Sequence, residues 1–144
     1  MEDFIIILLI WIAMIATSFW KSRVEGKNAW DKGKLGWKWK IGKRVIMTSY
    51  HFWLFVIMFP VLLAIPLVIN YNQHLLGVII SAYFSGLVIE DFAWFVVNPV
   101  FSLKDFNPKK VKWHIWANIF GFKIPITYIF GILIAIISYL LLWS

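Results

Sequence analysis

Apolar residues gather in four stretches, 4–20, 45–69, 75–97 and 124–143, separated by a short polar connection and two long polar segments. Each stretch is close to or above the roughly 17 residues that cross about 30 Å of hydrocarbon at about 1.5 Å per residue. The pattern predicts an all-α fold: a single membrane domain over residues 1–144, built as a four-helix transmembrane bundle. The first stretch does not read as a signal peptide, because Met1-Glu2-Asp3 carries no positive charge and no A-x-A site follows. It is expected to remain as a helix.

Within the second stretch, Pro60 and Pro66 remove backbone donors and crowd the preceding turn, so that helix should bend or break in its later half. Neighbouring helices must then satisfy the freed carbonyls. Small residues recur at four-residue spacing in the third stretch (Gly77-Ser81-Ser85 and Ala82-Gly86) and in the fourth (Thr127-Gly131-Ala135), which predicts close helix contacts there.

The polar segments span residues 21–44 and 98–123. In the second, Asn107 suits an N-cap, Pro108 a first helical position and Gly121 a stop, which predicts a short amphipathic interfacial helix over residues 109–120. Trp113, Trp116 and Phe120 would share its apolar face. In the first, the Trp37-Lys38-Trp39-Lys40 alternation would place aromatic and ammonium groups on opposite sides of an extended strand, and Trp30 adds a further aromatic. Such a segment is suited to the headgroup layer.

Composition strengthens the membrane expectation: 62% of residues are hydrophobic and 19% aromatic, against about 45–50% apolar in soluble domains. With no cysteine, the chain has no disulfide, thiolate nucleophile or Cys-ligated metal. The net charge of +7 is 14 basic residues less 7 acidic ones, and the basic residues lie nine in segment 21–44 and five in segment 98–123, with none at either terminus or in the connection 70–74. The positive-inside rule therefore places both long loops in the cytoplasm and both termini outside. Lys38, Lys40, Lys43, Arg44, Lys109, Lys110 and Lys112 are the expected contacts to anionic lipid headgroups, and no nucleic acid is expected. Composition suggests an integral protein of a prokaryotic plasma membrane.

Three ionisable residues interrupt the apolar stretches: His51, and the adjacent Glu90 and Asp91. Each lies roughly 10 Å inside the cytoplasmic boundary at about 1.5 Å per residue. A charge at mid-span costs about 2.5–3.5 kcal/mol on the insertion scale, so something must neutralise these carboxylates. Glu90 continues the Ala82-Gly86 row and is expected to be the buried one; Asp91 aligns with Asn98.

Three classes of function remain open. A lipid-directed or metal-binding membrane enzyme would use Glu90, Asp91 and His51 as catalytic groups. His51, Glu90, Asp91 and His114 would then be ligands for a divalent metal, although no H-E-x-x-H or E-x-x-H spacing is present. Trp94, Asn98, Trp113 and Trp116 would contact the lipid substrate. A small proton- or cation-coupled transporter or channel, most simply a homo-oligomer, would instead titrate Glu90 or Asp91. The third class is an accessory subunit of a larger membrane complex, in which these polar groups only hold the bundle together.

Overall fold

The computed structural model describes residues 1–26, 36–42 and 44–143, with the Arg44 side chain left aside. Trp30 and Lys43 lie outside the described residues, and with them the lipid contact expected of Lys43. The chain is mostly helical. A first helix runs Glu2–Glu25, a second Ser49–Ile69, a third Gln73–Val97 and a shorter fourth Ile126–Leu142. The first three are long and apolar enough to cross a membrane.

The third helix is the centre of the fold, with the first and fourth packed against it. Its small residues make these approaches possible. A methyl group added at Gly86 would come within 2.9 Å of Met14 on the first helix, and one at Gly131 within 2.7 Å of Val88. Hydroxyl groups bind across the same seams: Ser81 donates to the Ala135 carbonyl (2.9 Å) and Ser138 to that of Gly77 (3.0 Å). Trp11 on the first helix donates its indole N–H to Ser85 (2.9 Å). The contacts are close enough for dispersion and short hydrogen bonds to act together, as small-residue interfaces allow.

The helices alternate in direction. At one end Asn98, closing the third helix, donates to the Gly26 carbonyl after the first (2.9 Å), and Arg23 donates to Val97 (3.2 Å). At the other, His74 bridges Asp3 at the start of the first helix (2.9 Å) and the Trp143 carbonyl after the fourth (2.8 Å). Both long connections therefore share one end of the bundle.

The second helix does not break at its prolines. It passes through π-helical turns at Phe52–Met58 and continues as α-helix over Phe59–Ile69. In the π-turns the Phe59 N–H reaches the Leu54 carbonyl, five residues back. The next donor in that register would be Pro60, which has no N–H, so the Phe55 carbonyl is left open. The Tyr83 hydroxyl of the third helix donates to it. A neighbouring helix thus completes the backbone that proline interrupts.

Hairpins form in both long connections, the first where the alternation at Trp37–Lys40 predicts an extended strand and the second where a helix is expected. In the first, Lys38–Ile41 pairs antiparallel with Arg44–Thr48, with an irregularity between Trp39 and Lys40. The helix expected from residue 45 consequently begins at Ser49. β-branched Val45, Ile46 and Thr48 favour the strand. In the second, Trp116–Ile119 pairs with Phe122–Pro125, and no amphipathic interfacial helix forms over residues 109–120. Asn107 does act locally as expected, its side chain accepting from the Lys109 and Lys110 N–H groups (3.1 and 3.2 Å), but the coil stops after a single turn. What prevails is strand-forming Ile115, Trp116, Ile119, Phe122 and Ile124 around a tight two-residue turn. Phe120 and Gly121 both have positive φ (49° and 88°), so Gly121 is a hairpin residue, not a helix stop. Phe120, expected on an apolar face with Trp113 and Trp116, is 98% exposed at the tip.

Candidate functional site

The first helix continues past Trp20 to Glu25, which carries Lys21 and Glu25 into the bundle instead of leaving them in a loop. Lys21 is 5% exposed and Glu90 3%. The Lys21 ammonium lies 3.1 Å from Glu90 Oε1 and 3.4 Å from Oε2, and sits over the Phe55 ring of the second helix. Ser18, one turn before Lys21, donates to the Glu90 backbone carbonyl (2.7 Å) and fixes the register of the two helices. The group that neutralises Glu90 is thus Lys21, a residue whose positive charge at the end of an apolar stretch reads as loop.

Two further acid–base pairs surround it. His51 Nε2 is 3.6 Å from Glu25 Oε1, and its Nδ1 is 2.6 Å from the Thr48 hydroxyl. At 3.6 Å the carboxylate contact is longer than a hydrogen bond, and the Thr48 hydroxyl donates to Nδ1 or accepts from it according to the tautomer. His114 Nε2 is 3.0 Å from Asp91 Oδ2, and the Tyr128 hydroxyl of the fourth helix donates to the same oxygen (2.6 Å). Asp91 therefore joins the third helix, the fourth helix and the segment before the second hairpin. That segment is held in turn by the Ile126 N–H, which donates to the Ile115 carbonyl (2.8 Å).

A cavity of about 370 Å3 opens among these elements, and Lys21, His51, Glu90, Asp91, His114 and Tyr128 all line it. Its remaining wall is largely apolar, with Phe55, Phe84, Leu87, Val88, Phe130 and Ile134. This is the character of a small-molecule site: apolar surface for most of the ligand, with a few polar groups to orient it. Of the residues expected at a lipid entrance, Trp113 lines the cavity; Trp94, Asn98 and Trp116 do not. Trp94 is buried against Phe95 and Val111, Trp116 donates to the Val111 carbonyl, and the Asn98 side chain caps the Val100 and Phe101 N–H groups.

The four residues considered as metal ligands separate into different pairs. Glu90 faces Lys21, His51 faces Glu25, and only Asp91 and His114 meet. Glu25, His51 and Asp91 do border a small void of about 10 Å3, but the Lys21 and Trp94 donors border it too. An ammonium and an indole N–H repel a cation, and the space is at the lower limit for one water. No cluster of three or more His, Asp or Glu side chains suited to a metal ion occurs among the described residues. The residues do not fit a metal centre.

No protein-family model matches the sequence, and no curated protein or solved structure matches it either.

Proposed function

We propose that this chain is a four-span integral membrane protein, with both long connections in the cytoplasm and both termini outside, that binds the polar end of an amphiphilic molecule in the cavity beside Lys21, Glu90, Asp91 and His114. The observation that carries the reading is the cavity itself, apolar over most of its wall and with the bundle's buried acid–base groups on its lining. A molecule entering from the cytoplasmic leaflet would keep its chain among apolar side chains and present its head to fixed hydrogen-bonding groups. His114 lines the cavity 3.0 Å from the Asp91 carboxylate, so the same site offers a general base to a bound head.

The test is native mass spectrometry of the protein purified from its membrane in mild detergent. The wild type is expected to retain an amphiphile at about one per chain, and Leu87→Trp, which fills the cavity, to lose it while remaining monodisperse. An empty wild-type protein that also takes up no added lipid would refute the reading.

A second reading has its own support. Among the described residues Glu25, Glu90 and Asp91 each face a base from another element, the pattern expected of a staple that only holds a subunit of a larger complex together. Co-purification of a defined partner under the same conditions, with no bound amphiphile, would favour it.

A further inference from the structure

A second recess, of about 560 Å3, follows the third helix from Val88 to Val97, and Ile15 of the first helix, with Pro125 and Tyr128 at the start of the fourth, completes its wall. It shares Val88 and Tyr128 with the cavity beside Lys21 but none of that cavity's acid–base pairs. At about 1.5 Å per residue the run is about 14 Å long, close to one leaflet of a hydrocarbon layer of about 30 Å. Phe92 and Val96 are exposed on its wall, so the groove opens to whatever surrounds the bundle. Its volume holds roughly 19 groups of about 30 Å3 each, on the order of one acyl chain.

What distinguishes this groove from other apolar surface is the charge at one end. Lys123 is its one charged lining residue and, preceding the fourth helix, lies at the end of the bundle that holds both long connections. Arg23 reaches the same end: its guanidinium donates to the carbonyl of Val97, another lining residue (3.2 Å), and keeps further N–H donors. Both side chains are exposed, and neither faces a carboxylate among the described residues. The described carboxylates at this end are already engaged, Glu25 by His51, Glu90 by Lys21, Asp91 by His114 and Asp105 by Lys110. Lys110, expected as a lipid contact, is thus committed to Asp105, whereas Arg23 and Lys123 present uncompensated positive charge. Resting on the membrane-spanning reading and not on what occupies the cavity, we infer that the groove holds one acyl chain of an anionic phospholipid, its phosphate at Arg23 and Lys123 and its tail along the third helix. In the proposed orientation this is the cytoplasmic leaflet, where each Lys or Arg near an anionic surface strengthens binding by about fivefold.

An open groove exchanges its lipid with detergent, so the experiment uses the full chain in phosphatidylcholine nanodiscs. Phosphatidylglycerol or phosphatidylcholine carrying a photoreactive acyl chain is added at equal fraction, and the cross-linked peptides are mapped by mass spectrometry. Phosphatidylglycerol is expected to label residues 88–97 at least about tenfold more than phosphatidylcholine, a preference that falls as added salt screens the phosphate. Lys123→Gln and Arg23→Gln should each lower the preference by about fivefold, and the two together should abolish it, with labelling of the second helix unchanged. Ala93→Trp should block the groove to both probes, whereas Leu87→Trp, which fills the cavity and not the groove, should leave the preference intact. Equal labelling of residues 88–97 by the two probes on the wild-type protein, or a preference that survives the double variant, would overturn the inference while leaving the chain in the bilayer. Failure of both probes to label any helix would remove the membrane-spanning reading itself.

Discussion

Lys21 and Glu90 are the residues on which the buried site depends most directly. An ion pair removed from water contributes little net stability, yet deleting one partner leaves an uncompensated charge. Lys21→Met is therefore expected to destabilise the protein by about 3–5 kcal/mol, and the double change Lys21→Met with Glu90→Leu to regain most of that. Thermal unfolding of the purified variants in one detergent measures both; a single variant as stable as wild type would show that the pair is not a staple. Outside the helices, Asp105 provides a second case. The Lys110 ammonium and the Ser102 N–H and hydroxyl hold its carboxyl below the ordinary value. A depressed carboxylate adds stability above its unfolded pKa and loses it as pH falls through the folded value, so the turn at residues 102–110 should loosen below about pH 4. The effect is small for an exposed group, and Asp105→Asn should abolish it in hydrogen exchange of that turn. The sequence marks Glu90 and Asp91 as residues needing partners but not which partners they take. Lys21 reads as loop because charge ends an apolar stretch, and Glu25 lies one helical turn beyond it, where hydropathy has stopped reporting.

The elements were legible where one physical pattern dominated. Long apolar stretches become helices because a helix alone satisfies its own backbone over such lengths, and all four stretches do so over most of their extent. The ends move where two tendencies compete. Residues 45–48 are apolar enough to be read as helix, yet pair as a strand; Asn107-Pro108 starts a turn that strand-forming residues downstream do not extend. Phe120-Gly121 lacks the Asn-Gly or Asp-Gly signature of such turns, so the residue pair does not mark the hairpin. The proline interruption of the second helix carries its own prediction. Tyr83→Phe removes the donor to the Phe55 carbonyl and should cost about 1–3 kcal/mol in the same unfolding assay, the range for a buried acceptor left unpaired. No loss would mean that the carbonyl finds another partner.

For the molecule as a whole, the absence of cysteine makes topology directly accessible. Single cysteines introduced at Lys40 and Lys109, both exposed, should react with a membrane-impermeant maleimide only from the cytoplasmic side, and one at Tyr71 only from outside. The reverse sidedness, or labelling of all three from one side, would reject the four-span arrangement. The pairing of Lys21 with Glu90 also constrains how such a molecule is made. The two residues are 69 positions apart, so the chain emerging from the ribosome delivers the ammonium well before the carboxylate. In the proposed four-span arrangement a lysine near the end of the first helix could wait with its charge at the headgroups, whereas Glu90 would have hydrocarbon on both sides along its helix. On this view the third segment becomes comfortable in the bilayer only once the first is there to receive it, and the order of synthesis, base before acid, is the order in which assembly can proceed.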